Sequence, residues 1–156
     1  MKITLKNGCD ASESSIRALE MELGYPLSDS YKTFVHVYDG AKPETNIFRV
    51  SHINECGVSK FIPVAEITKQ KSRIEGFPEH ACPIASAEGG NFIFLDENGA
   101  VFFWDHEVDD EPVRLAGDFG SFLDSLEPFD VKSVQLKPGQ VKRVWVDREF
   151  LKKLKK

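Results

Sequence analysis

Asp105, His106, Glu107, Asp109, Asp110 and Glu111 set five carboxylates and one imidazole within seven positions. Carboxylates and imidazole are donors for a divalent cation, and equally the general acid and base of a hydrolytic centre, provided that they converge. They follow an apolar run that reads as a strand, where residues 105 and 106 point to opposite faces as long as the chain stays extended. That geometry opposes convergence, and an acidic loop at a strand end is ordinarily just solvated. We therefore read these residues as exposed acids and assign no metal, cofactor or catalytic residue.

Other catalytic patterns are missing from the sequence. There is no HExxH helix, GxSxG elbow or Gly-rich phosphate loop, and Glu88-Gly89-Gly90-Asn91 is too short and lacks the following helix of a phosphate cradle. Cys9, Cys56 and Cys82 are odd in number and widely separated, without a paired CxxC, and read as three reduced thiols.

The elements that position the acidic stretch are legible in residues 89–107. Apolar runs at 91–96 and 100–105 are joined by Glu97-Asn98-Gly99, and Asn-Gly between two such runs is the strongest short-range hairpin signal. Both runs are apolar at nearly every position instead of alternating, so the hairpin is expected at the centre of a sheet with both faces covered, Trp104 in its core. Gly89-Gly90 at its entrance permits a bend or close approach that a side chain would block.

Upstream, Asp10 with Glu13 reads as an N-cap and its reciprocal carboxylate, starting a helix with Ile16, Leu19 and Leu23 on one face. Gly24 ends it. Ser28 or Asp29 caps a second helix carrying Tyr31, Phe34, Val35 and Tyr38, while His36 falls off that face as an exposed histidine. A strand follows at 47–50, a loop at 51–59, a helix at 65–74 with a solvated basic face, and a strand entered at Cys82-Pro83. After the acidic loop come a short edge strand at 113–116 and a helix capped by Asp118, with Phe119, Phe122, Leu123 and Leu126 as its apolar stripe.

These elements make an α+β fold, a single domain with a mainly antiparallel central sheet flanked by helices, over residues 1–130. Residues 131–156 form a basic extension, read as a weak hairpin and a short helix. The chain has 156 residues, enough for one core without staples, and no run approaches a membrane span or signal peptide. The expectation is a cytoplasmic protein with no membrane partner. Residues 1–131 carry 11 Lys and Arg against 23 Asp and Glu, whereas residues 132–156 carry nine against two. An acidic body repels nucleic acid and attracts basic partners, and the basic tail matches no nucleic-acid module, so no direct nucleic-acid binding is expected.

Three segments together resemble a known family. LEMELGYPLSDSYKTFVHVYDGAKP (19–43), PIASAEGGNFIFLDENGAVFFWDHE (83–107) and DFGSFLDSL (118–126) are similar to the SUKH superfamily, which includes the fungal cell-wall-assembly regulator. The shared pattern is a Leu-Gly-x-x-Leu helix pair, a Gly-Gly-Asn strand entry, a Trp-Asp-His-Glu strand exit and a Ser-Phe-x-x-x-Leu helix. Ser28 stands where a proline often follows, and residues 131–156 lie outside the pattern.

The resemblance implies an α+β fold with no shared enzymatic activity. It also implies, for bacterial members, immunity proteins that bind and neutralise a toxin, often a nuclease with a basic surface. A regulatory scaffold like the fungal members is the alternative. On the immunity reading Glu88, Glu107, Asp109, Asp110 and Glu111 are the expected partner contacts, with Asp39 and Glu44 behind them. Gly89, Gly90, Asn91, Trp104, Asp105 and His106 match the family motif, and a strand bend and hairpin end suffice to explain them.

Overall fold

Ser12, and not Asp10, starts the first helix. In the computed structural model, which describes residues 3–52, 54–108, 111–130 and 138–139, Ser12 has extended backbone and its hydroxyl accepts from the Ser15 N–H at 3.2 Å. Helix α1 (Glu13–Leu23) buries Ile16 and Leu19 and closes at Gly24, whose N–H reaches the Glu20 carbonyl at 2.9 Å. Asp10 instead faces His36, at 3.6 Å, with Glu13 on the other ring nitrogen at 3.1 Å. His36 is thus half-exposed between two carboxylates rather than unattended.

The Glu20 carboxylate accepts from the Leu27 N–H at 2.8 Å, fixing the elbow into α2 (Asp29–Tyr38), which buries Tyr31, Phe34 and Val35. A two-stranded pair, β1 (Leu5–Lys6) and β2 (Lys42–Pro43), brackets the helices. Six further strands follow: β3 (Ile47–Arg49), β4 (Glu55–Phe61), β5 (Cys82–Ala87), β6 (Phe92–Leu95), β7 (Val101–Trp104) and β8 (Val113–Ala116). They lie side by side in chain order, every pair antiparallel, as a meander whose edges among the described residues are β3 and β8. A 3-10 turn at Val64–Glu66 and the short α3 (Ile67–Lys71) link β4 to β5, and α4 (Phe119–Ser125) follows β8.

Strand β4 occupies what the sequence suggests is a loop, because Gly57, Ser59 and Lys60 break any apolar run. Its pairing on both sides, with β3 and β5, supplies what its side chains do not. The 65–74 helix shortens to the 3-10 turn plus α3. The expected cap at Asp118 is present, its carboxylate accepting from the Ser121 N–H at 2.8 Å and holding its own ionisation below the usual range through that bond.

One sheet face carries the core. Ile93, Leu95, Val101 and Phe103 of the hairpin are buried there, and Phe119 is enclosed by Tyr31 at 5.2 Å, Phe34 at 5.0 Å, Phe61 at 6.2 Å and Phe122 at 6.4 Å between ring centres. The first three of these contacts are edge-to-face, a geometry that adds to area burial. The hairpin turn differs from the expected form, since only Gly99 has positive φ (81°); Asp96 accepts from the Asn98 and Ala100 N–H groups and closes a longer loop.

Candidate functional site

The opposite sheet face is only partly covered. Cross-strand pairs Phe92–Trp104 and Phe94–Phe102 line it, and the segment before β5 lays Phe77 edge-on against them, 5.6 Å from Phe94 and 5.3 Å from Trp104. Phe94 is buried, but Phe92, Phe102 and Trp104 stay half-exposed. Among the described residues the expected two-sided cover is therefore a single aromatic strap, and Trp104 is a wall of a surface groove rather than a core residue.

Chain direction changes where β7 ends. The Asp105 carboxylate accepts from the Glu107 N–H at 2.9 Å and its carbonyl accepts from Val108 N–H at 3.4 Å, so residues 105–108 turn instead of running straight. His106 is locked by Asn91, whose side-chain oxygen accepts from the His106 backbone N–H at 3.2 Å and lies 2.8 Å from Nδ1. That pairing selects the Nδ1–H tautomer and leaves Nε2 as an acceptor. Gly90 makes this approach possible: its φ is 78°, and a Cβ there would sit 3.3 Å from the imidazole. The Gly-Gly-Asn entry and the Trp-Asp-His-Glu exit are thus one latch between neighbouring strands.

Trp104 and His106 separate two grooves. One, of about 530 Å³, includes Gln70, Arg73, Gly90 and Phe92. The other, of about 500 Å³, is lined by Pro78, Trp104, Pro112 and the carboxylates Glu75, Glu107 and Glu111. Among the described residues no Lys or Arg lines this second groove. Among the described residues Glu75 and Glu111 have no ion pair, and Glu107 has only the distant His106 Nε2 at 4.0 Å.

The remaining expected contacts scatter. Glu88 is exposed, but its carboxylate accepts from the Gly57 N–H at 3.2 Å and occupies the space a Cβ on residue 57 would need. Glu44 pairs with Lys6 beside the two-stranded sheet. Asp39 is a correction: it is 6% exposed, with Oδ1 accepting from the Val64 N–H at 2.9 Å, so its carboxylate caps the 3-10 turn and is withdrawn from any partner. Burial raises its pKa above the usual carboxylate value, against the Val64 hydrogen bond, with nearby Glu66 adding to the rise. Asp109 and Asp110 lie outside the described residues, as does the expected hairpin and helix of 131–156 apart from the Pro138-Gly139 turn.

Glu75 is the residue that sequence reasoning misses. It sits 32 positions before Glu107, and the only local hint is Phe77, an aromatic in a Gly-Pro-rich stretch that needs something to cover. Among the described residues no group of three His, Cys, Asp or Glu side chains is arranged to hold a metal ion, and no helix is long and apolar enough to cross a membrane. Among the described residues, what the groove offers chemically is an indole wall beside carboxylates with no Lys or Arg partner.

A 60-residue stretch is 43% identical to the SPbeta prophage-derived uncharacterized protein YokK of Bacillus subtilis (strain 168), covering 35% of this chain and 31% of that protein. The match thus spans under a third of the relative's length. Residues 10–125, from the segment before α1 through the end of α4, match the SMI1 / KNR4 family (SUKH-1), and the chain belongs to that family.

Proposed function

We propose that this protein is an immunity protein, acting by binding rather than by catalysis, that neutralises a toxin with a basic surface, of the kind a nuclease needs. Family membership carries the reading, since bacterial members of this superfamily are implied to be toxin antagonists. Charge supports it: residues 1–131 hold 23 acidic against 11 basic residues, and Glu75, Glu107 and Glu111 line a concave surface with no Lys or Arg partner among the described residues. Complementary potential of this kind speeds encounter and suppresses wrong partners.

The test is capture of partners by tagged protein from its native lysate at low salt, followed by mass spectrometry and a nuclease assay on what is captured. A basic protein whose nuclease activity disappears in a stoichiometric complex is the expected result. Capture of endogenous regulatory proteins alone, with no toxic activity in the eluate, would replace the immunity reading with that of a regulatory scaffold.

A further inference from the structure

We propose that the groove between the Phe77 strap and the end of β7 is the pocket for an arginine side chain presented by a protein partner. The inference deepens the toxin-binding reading and rests on it for the biological source of the arginine. Trp104, Pro78 and Pro112 form apolar walls, and Glu75, Glu107 and Glu111 ring them beside His106, with no Lys or Arg in the lining among the described residues. Wall and rim come from the segment at 75–78 and from the end of β7 and residues that follow it, the first brought to the second by the Phe77–Trp104 contact at 5.3 Å, with the Asp105 turn placing Glu107.

The chemistry selects arginine over other occupants. A guanidinium is planar and weakly hydrated, stacks on an indole face, and uses its forked N–H donors on carboxylates, whereas an ammonium is a strongly hydrated point charge. An anionic or purely apolar occupant would leave three carboxylates facing it without compensation. The neighbouring groove beyond Trp104 and His106 contains Arg73, and so lacks this one-signed lining. The His106 imidazole, held by Asn91 at Nδ1, adds a ring nitrogen to the same lining.

The experiment uses the full-length protein labelled with ¹⁵N and three blocked tetrapeptides, Gly-Arg-Arg-Gly, Gly-Lys-Lys-Gly and Gly-Glu-Glu-Gly. The indole N–H signal of Trp104 is assigned by its loss in Trp104→Phe. The arginine peptide is expected to shift that signal and the 105–108 amides saturably, the lysine peptide more weakly, and the glutamate peptide not at all. Glu75→Gln, Glu107→Gln and Glu111→Gln combined should weaken arginine-peptide binding by about ten-fold, and should flatten its dependence on salt between about 0.05 and 0.5 M. These carboxylates make no hydrogen bond among the described residues that the fold relies on, so the variant folds.

Shifts elsewhere on the protein, a lysine response equal to arginine's, or binding unchanged in the triple variant would each overturn the pocket. If the lysate experiment yields a neutralised toxin but the triple variant still neutralises it and the peptide maps elsewhere, the pocket fails and the immunity reading stands. A groove-specific arginine response with no toxin captured separates them the other way.

Discussion

Replacing Asp39 separates its charge from its hydrogen bond. The residue is 6% exposed and Oδ1 accepts from the Val64 N–H at 2.9 Å, where Val64 is itself buried at 3%. Asp39→Ala leaves that N–H without an acceptor in a site closed to water, a cost of about 1–3 kcal/mol. At about 2–4 °C of Tm per kcal/mol for a chain of this size, Tm should fall by about 2–12 °C. Asp39→Asn keeps the acceptor and deletes the ionisation that burial and Glu66 oppose. The sign follows from linkage: a carboxyl whose folded pKa is raised above its ordinary 3.8 contributes in full below that pH, and its contribution declines as pH rises through the folded value. The asparagine variant should therefore match the native protein in acid and equal or exceed its Tm at neutral pH, the gap opening from pH 3.8 upward. Thermal melts of the three proteins across that range are the assay. A neutral-pH Tm for Asp39→Asn as low as that of Asp39→Ala would refute the reasoning, because it would mean that the ionised form is what the turn requires.

Three further outcomes follow from the same geometry. Phe119→Ala removes a ring with no exposed surface from between α2, α4 and the sheet, and should cost about 3–5 kcal/mol, or about 6–20 °C in a thermal melt, with Phe119→Leu well short of that. Asn91→Ala removes both acceptor contacts to His106; a stability loss of about 1–2 kcal/mol is expected, together with a shift of the ring's ¹⁵N resonances away from the Nδ1–H tautomer, and unchanged resonances would dissolve the latch. Alkylation of the native protein should label exposed Cys9 first and spare Cys82, which has no exposed surface and whose thiol is pushed up to about 12 by burial, until denaturant is added.

Where local chemistry decides the structure, the sequence is readable. The β6–β7 hairpin follows from two apolar runs and a turn glycine, and α4 follows from an Asp118 cap and a helical apolar stripe, because each of these signals lies within about two turns of chain. Legibility fails where the partner is distant. Strand β4 is stabilised by backbone pairing to β3 and β5 while its own side chains read as loop. Asp39 looks like a solvent-facing helix end until Val64, 25 residues later, supplies the N–H it caps. Trp104 and Glu75 share a groove only because Phe77 folds across the second sheet face, a tertiary contact with no periodic trace.

The acidic residues therefore divide by what their oxygens already do. Asp39, Asp96, Asp105, Asp118 and Glu88 each accept from a backbone N–H, at Val64, Ala100, Glu107, Ser121 and Gly57 respectively, so their identity is tied to the fold. Glu75, Glu107 and Glu111 hold no such bond among the described residues; Glu75 and Glu107 sit on turns and Glu111 on the segment before β8, all outside the strands. Substituting them costs the fold little, whereas bringing a cation to them gains from every unneutralised carboxylate. A binding protein that must match one partner while keeping a common scaffold needs such a separation: backbone-capping acids that stay, and surface acids that are free to change with the partner's charges. The latch of Asn91 and His106 stands at the boundary, fixing the position of the turn that carries Glu107 without fixing which side chain it carries.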